Sequence, residues 1–404
     1  MSAPSPLRHP AFRALWIAAT ISFTGTFVQD VAERWLILDL THAPMPAAMI
    51  TTAFVTGSLA AMLPSGVLAD RIDRRRVVVW SQLLQATIAM IVGFLTLTGH
   101  VTPAVLIGGA AAAGLGMGLG APAWSALVNE ILPREQVADG VTMQSIAFNL
   151  ARAIGPAVGG AILTAFGAAT SFFLNGVSFI VVVIAVLRHP PEERAPTSKA
   201  PPPLGRAFLE PFAFVFREVG VRSIFFSMWL FTVGAAFLYA LSPALAKLTL
   251  HSDAHEYGLM VGAMGVGAVI GALALRRLRD RLPPRALVAV MMILYGVSSL
   301  AIARAENPSV VVALFVPAGT GWTCVFSSLA ALNQLRAPNR LRARIVALYT
   351  MSHFVVYGIA ATIAGAIAEG LSIRTSLVVG GVLATAAGIA TMRLRIPSTF
   401  TAAS

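Results

Sequence analysis

Cysteine is almost absent from this chain: Cys324 stands alone inside an apolar run, which excludes an intramolecular disulfide and a cysteine-rich metal site. Charge is scarce as well. Asp, Glu, Lys and Arg make up 11% of the 404 residues, whereas soluble domains carry roughly 25%. The sequence also lacks a phosphate-binding loop with its lysine, a metal-ligand cluster, and any Ser/His/Asp or paired-carboxylate arrangement with credible spacing. These gaps argue against an ATP-driven pump and against an enzyme; no catalytic residue, cofactor or metal is expected. MSAPSPLRHPAFRALW has no small-residue cleavage site, so the first apolar run is expected to persist as helix one.

What is abundant is apolar surface. Hydrophobic residues reach 57% and mean hydropathy is +0.79. A soluble core of this length cannot hide so much, but a bilayer can, because lipid is then the solvent. The net charge of +12 would suggest nucleic acid in a soluble protein. Here the basic residues form short clusters between apolar runs, without interleaved aromatics, so no nucleic-acid partner is expected.

A hydrocarbon core needs about 20 apolar residues per helix. That window marks spans at 14–38, 46–68, 77–97, 102–127, 140–166 and 170–187, then at 223–245, 257–275, 286–303, 309–332, 344–368 and 375–392. The fold class is therefore all-α integral membrane, with twelve transmembrane helices. Arg71, Arg74, Arg75, Arg76, Arg134, Arg188, Arg276, Arg279, Arg281, Arg336, Arg340, Arg342 and Arg393 all fall in one set of connecting segments. The other set holds only Lys247, Arg304 and Arg374. The bias predicts an even number of helices with both termini cytoplasmic, in a multi-pass plasma (inner) membrane protein.

The organisation reads as 1–187, an N-terminal six-helix bundle; 188–222, a cytoplasmic linker; and 223–404, a C-terminal six-helix bundle. PPEERAPTSKAPPP makes the first part of the linker a poor helix. Phe208, Phe212 and Phe216 then recur every four residues, as in a short interfacial helix. A shift of 205 residues aligns GVLADRIDRRR at 66–76 with GALALRRLRDR at 271–281, a sign of duplication. Parallel repeats of this kind belong to transporters that rock two halves about a midplane site.

Two motifs carry more specific information. In 66–76, Gly66 lets helix ends approach closely, Asp70 can accept from a helix N-terminus, and Arg71 and Arg74 can bind carboxylates or lipid phosphates. This segment resembles the signature loop between helices two and three of the major facilitator superfamily. The resemblance implies a gating latch at the cytoplasmic ends of the halves. The positive-inside rule by itself accounts for the arginines, but not for Gly66 or Asp70. The second motif is RAIGPAVGG at 152–160, where Pro156 bends the helix and Gly155, Gly159 and Gly160 permit tight packing. It resembles the helix-five motif of the superfamily's exporters, and simple packing is the alternative. FRALWIAATISFTG at 12–25, APAWSALV at 121–128 and FFLNGVSFI at 172–180 add a resemblance to the branch with enterobactin exporters and macrolide efflux pumps. Many drug–proton antiporters have an arginine in helix four, but LIGGAAAAGLGMGLGAPAW has none, so their coupling scheme cannot be copied directly.

Charges at bilayer depth cost at least about 2.5–3.5 kcal/mol and need a reason. Asp30, Glu33, Arg34 and Arg152 are the ones within spans. Asp30 and Arg34 share a helical face. Either the carboxylates neutralise arginines permanently, or one of them carries a proton in alternate states; on the second reading Asp30 ranks ahead of Glu33, with Arg152 as a fixed positive partner. His353 is a further proton candidate, with Tyr349 and Tyr357 on its helical face. The substrate-cavity candidates are Tyr349, Tyr357, Gln29, Trp124, Asn149, Tyr239 and Trp322. The sequence thus points to a monomeric secondary active exporter, with protons, membrane lipids and a small amphipathic substrate of siderophore, macrolide or multidrug type as partners. A proton-independent facilitator or flippase for lipid-like molecules is the alternative. A non-transporting sensor fits worse, since a scaffold needs neither the motifs nor the intramembrane charges.

Overall fold

The computed structural model describes residues 6–189, 204–338, 340–397 and 400. Thirteen α-helices account for nearly all of them: α1 (Pro10–Thr41), α2 (Pro44–Arg71), α3 (Arg74–Leu97), α4 (Pro103–Ile131), α5 (Val137–Phe166), α6 (Ala168–Arg188), α7 (Leu204–Arg217), α8 (Val219–Ala244), α9 (Ala254–Arg281), α10 (Pro284–Arg304), α11 (Pro308–Arg336), α12 (Arg342–Gly370) and α13 (Ile373–Thr391). All but α7 are long and apolar enough to cross a membrane, giving twelve spans. The helices outrun the apolar windows because the polar residues that follow continue the helical backbone. Residues 276–281 at the end of α9 are an example.

Local chemistry sets the helix ends. Proline opens α1, α4, α10 and α11, where its missing N–H is one of the helix's unpaired donors in any case. Side-chain oxygens of Thr102, Asn307 and Ser372 cap α4, α11 and α13 by accepting from Val105, Ser309 and Thr375. Hydroxyls inside the spans turn back on their own helices: Thr20 donates to the Trp16 carbonyl, Thr96 to Val92 and Thr350 to Val346. A serine or threonine is thereby satisfied without water.

The chain forms two compact units, residues 1–196 with 246–262, and residues 197–245 with 263–404. Residues 246–262 therefore pack in the first unit although they follow the linker in sequence. In the first unit α2 lies against α4, α1 against α5 and α6, and α3 against α4 and α6. In the second, α10 contacts α11 and α13, while α8 contacts α12 and α13. Glycine allows the closest pairs. A Cβ at Gly57 would overlap the Ala111 carbonyl, and one at Gly114 the Phe54 carbonyl.

The same contact recurs in the second unit, where Gly267 meets the Val316 carbonyl and Gly319 that of Met264. Equivalent residues are thus 205 apart between α4 and α11 but 210 apart between α2 and α9. Hence the loop match at a shift of 205 is out of structural register. The true counterparts of Asp70 and Arg71 are Asp280 and Arg281, because helix contacts rather than letter identity decide equivalence.

The short helix expected from the phenylalanine spacing is present as α7. Phe212 and Phe216 are stacked 6.5 Å apart and stay exposed, while Val215 is buried. Glu210 on α7 accepts from Arg340 at 2.6 Å and lies 3.8 Å from Arg344, which ties α7 to the start of α12 and the turn before it.

Candidate functional site

Residues of the first unit gather the intramembrane charges on α1. Arg34 Nε donates to Asp30 Oδ1 at 2.8 Å, one helical turn away, and Arg34 Nη1 donates to Thr51 Oγ1 on α2 at 2.8 Å. The guanidinium is buried and the Asp30 carboxylate is partly exposed. Glu33 lies beside Gln29, Asp30 and Arg34. It is 9% exposed and takes part in none of the ion pairs among the described residues. Gln29 accepts from Asn175 Nδ2 on α6 at 2.7 Å, and Asn175 is itself held by Ser178 at 3.0 Å. Asp30 is committed to Arg34, whereas Glu33 is buried on the same helix without a counter-ion of its own.

Other first-unit candidates fall elsewhere. Asn149 turns back to the Ser145 carbonyl of its own helix at 2.8 Å. Trp124 is partly buried and packs against the apolar core around α1, α3 and α4, with Leu15 and Leu127. Arg152 is partly buried on α5, one turn before Gly155. Of the latch residues, the side chains of Gly66, Asp70 and Arg71 lie outside the described residues. Arg74 forms an ion pair with Glu130 of α4. Asp73 caps α3 by accepting from the Arg75 backbone at 2.9 Å, and the Arg75 side chain donates to the carbonyls of Val186 and Leu187 at the end of α6.

The helix-five motif does bring backbones together. A Cβ on Gly159 would stand 2.9 Å from Val28 Cα. One on Gly160 would stand 2.6 Å from the Ala254 carbonyl and 3.1 Å from Gly258 Cα, so α5 and the first turns of α9 touch through glycine on both sides. Beside this contact, Lys247 pairs with Asp39 and lies 4.6 Å over the Trp35 ring. Trp35 stacks on Tyr257 at 6.0 Å. This second cluster was not legible in the sequence, where Lys247 read as a loop charge and nothing singled out Asp39.

The second unit gathers an aromatic box. Trp322 and Phe326 of α11 are 4.6 Å apart, and Phe326 lies 4.6 Å from the His353 ring of α12. Tyr357 lies 5.9 Å from His353 and 6.4 Å from Trp322, and Tyr239 of α8 closes the group 6.4 Å from Tyr357. His353 Nδ1 is 3.1 Å from Thr232 Oγ1 on α8. Tyr349 turns to Phe225 instead, at 5.3 Å, and its buried hydroxyl has no partner among the described residues. Four candidates thus converge: Tyr239, Trp322, His353 and Tyr357. Phe326 was missed, although its spacing of four from Trp322 signals a shared face. Thr232 carried no signal.

Comparison with known proteins adds the functional context. The model of the family described as transmembrane secretion effector matches residues 1–404. The enterobactin exporter EntS of Citrobacter koseri is 26% identical over 92% of this chain and 89% of its own length. The multidrug efflux pump Tap of Mycobacterium tuberculosis is 25% identical over 96% and 94%. Among solved structures, a bacterial homologue of the human lysosomal transporter Spinster superposes with a TM-score of 0.75 at 15% identity, covering 97% of this chain and 98% of that one. The nucleoside transporter NupG gives 0.73 at 14% identity, over 95% and 98%. At such identities the structural neighbours establish the fold alone, while the family match covers every residue. The chain therefore belongs to the transmembrane secretion effector family of the major facilitator superfamily and is a multi-pass membrane transporter, not an enzyme.

Proposed function

We propose that this protein is a secondary active exporter that couples outward movement of a small amphipathic molecule to inward proton flow. The observation that carries the reading is the pair of roles on α1: Asp30 is occupied by Arg34, and Glu33 is buried beside it with no ion pair of its own. A buried carboxylate without a counter-ion is costly when charged. It is suited to holding a proton in one conformational state and releasing it in another. Export is the direction in the names of the relatives EntS and Tap, and the glycine contact of the helix-five motif agrees with it. The protein is read as residing in the plasma (inner) membrane with its arginine-rich end and both termini cytoplasmic.

The aromatic box of the second unit supports the substrate class in this reading. Trp322, Phe326, His353 and Tyr357 offer ring faces to a flat apolar body. His353, 3.1 Å from Thr232 Oγ1, offers a polar contact to its edge. A siderophore, a macrolide or a mixed set of drugs combines both features. Trp322→Ala should weaken binding of a flat aromatic substrate about tenfold, since ring contacts contribute about 0.5–1.5 kcal/mol beyond buried area. Trp322→Phe should retain most of the affinity. Equal dissociation constants for wild type and Trp322→Ala would remove the box from the binding site.

The decisive test is efflux from proteoliposomes with and without an imposed pH gradient. Gradient-stimulated export supports antiport. Equal efflux in both would instead favour the proton-independent facilitator or flippase, which the same fold accommodates.

A further inference from the structure

The two units differ in how they treat arginine around the turn between their second and third spanning helices. In the first, Arg74 is neutralised by Glu130. In the structural register, their counterparts in the second unit are Pro284 and Leu335, so both partners of that ion pair are gone. Arg276 and Arg279 stand instead where the first unit has Gly66 and Ala69. Together with Arg281 they line a pocket of about 650 Å³, floored by Leu275 and Pro284 and bordered by Phe400.

Arg279 is the centre of this pocket. One Nη donates to the Ser327 carbonyl of α11 at 3.1 Å, and the guanidinium lies 4.7 Å over the Phe400 ring. Its Nε is shielded from solvent and has no acceptor among the described residues. Asp280, the carboxylate in the lining, forms no ion pair with Arg276, Arg279 or Arg281. A buried guanidinium N–H without an acceptor is costly, and the natural remedy is a negatively charged oxygen. The planar fork of arginine matches phosphate oxygens, and several forks around one pocket give a multidentate grip.

We propose that this pocket binds the phosphate of an anionic phospholipid headgroup. The chemistry needed is that of any phosphate, but two features favour lipid as its source. The pocket wall is half apolar, with Leu275, Pro283, Pro284 and Phe400 beside the arginines, which suits a phosphodiester continuing into glycerol. It also lies at the end of a spanning helix whose Leu273, two turns back from Arg281, is exposed as a lipid-facing residue would be. Basic pockets at the headgroup level of spanning helices collect anionic lipids in this way. The Phe400 ring faces Arg279 and adds an apolar edge to the pocket.

The test uses the full-length protein, delipidated in detergent and titrated separately with phosphatidylglycerol, phosphatidylcholine and inorganic phosphate. Bound lipid is read by native mass spectrometry and stability by the thermal midpoint. Phosphatidylglycerol should be retained and raise the midpoint by several degrees, with little effect of phosphatidylcholine or inorganic phosphate. Arg279→Gln should lower retention about tenfold, the effect of losing one charge-assisted contact. Because that residue is partly buried, Arg276→Gln at the exposed rim and Phe400→Ala provide variants with the fold intact, and both should weaken retention. Inorganic phosphate stabilising as well as phosphatidylglycerol, in an Arg279-dependent way, would overturn the lipid source. Undiminished phosphatidylglycerol binding in all three variants would overturn the site.

Discussion

Glu33→Gln is expected to abolish gradient-driven efflux, by about a hundredfold or more, while substrate binding and thermal stability remain near wild type. The substitution keeps the size and hydrogen-bonding capacity of the side chain beside Gln29 but removes the carboxylate proposed to gain and lose a proton. A ligand can drive a conformational cycle only if it binds the two states differently. A glutamine cannot supply that difference for a proton. Downhill substrate exchange should survive, because the aromatic box lies in the other unit. Asp30→Asn should fail in another way. It removes the counter-ion of Arg34, which is buried, and breaking a buried pair costs about 3–5 kcal/mol. Asp30 is partly exposed, so the lower end of that range applies. Its variant should therefore show a depressed thermal midpoint and poor recovery, whether or not a pH gradient is present. If Glu33→Gln pumps against a gradient at normal rates, the proton site lies elsewhere, with His353 next to be tested.

Gly258→Val is expected to remove most transport activity. A Cβ there would lie 2.6 Å from the Pro156 carbonyl and 3.0 Å from Gly160 Cα. Both obstacles are backbone, so neither can rotate away, and the first turns of α9 must separate from α5. Overpacking of this kind costs about 1–3 kcal/mol or more. The displaced turns also carry Tyr257, which stacks on Trp35 beneath Lys247, so the neighbouring cluster should loosen as well. Gly160→Val should behave in the same way, meeting the Ala254 carbonyl at 2.6 Å. Gly108→Ala is the matched control, since its added Cβ has nothing within 4 Å. Transport rates and thermal midpoints of the three variants distinguish a specific helix contact from a general intolerance of larger residues. Equal activity of Gly258→Val and Gly108→Ala would show that the close approach has no bearing on transport.

Much of this protein is legible in its sequence because the bilayer imposes local rules. Each spanning helix must satisfy its own backbone and present enough apolar length, so the twelve spans can be found without knowing any neighbour. The intramembrane charges, the glycine motif of α5 and the aromatics of α11 and α12 are visible for the same reason: in an apolar stretch, each polar or small residue stands out. Helical spacing even anticipated the pairing of Asp30 with Arg34.

What only the tertiary structure decided is which groups meet across helices. Sequence spacing could not reveal that Arg34 also bonds Thr51, that Gln29 is taken by Asn175, or that Trp124 packs against the core. Those facts left Glu33, ranked second on the sequence, as the carboxylate without an ion pair of its own. The repeat register was misjudged for a related reason: three matching arginines fit a shift of 205, whereas the glycine contacts require 210 between α2 and α9. Identity along the chain reports composition, and loops at a membrane surface draw on few residue types. Contact geometry reports which atoms exclude one another, and backbone packing at Gly57 and Gly267 tolerates no shift of register.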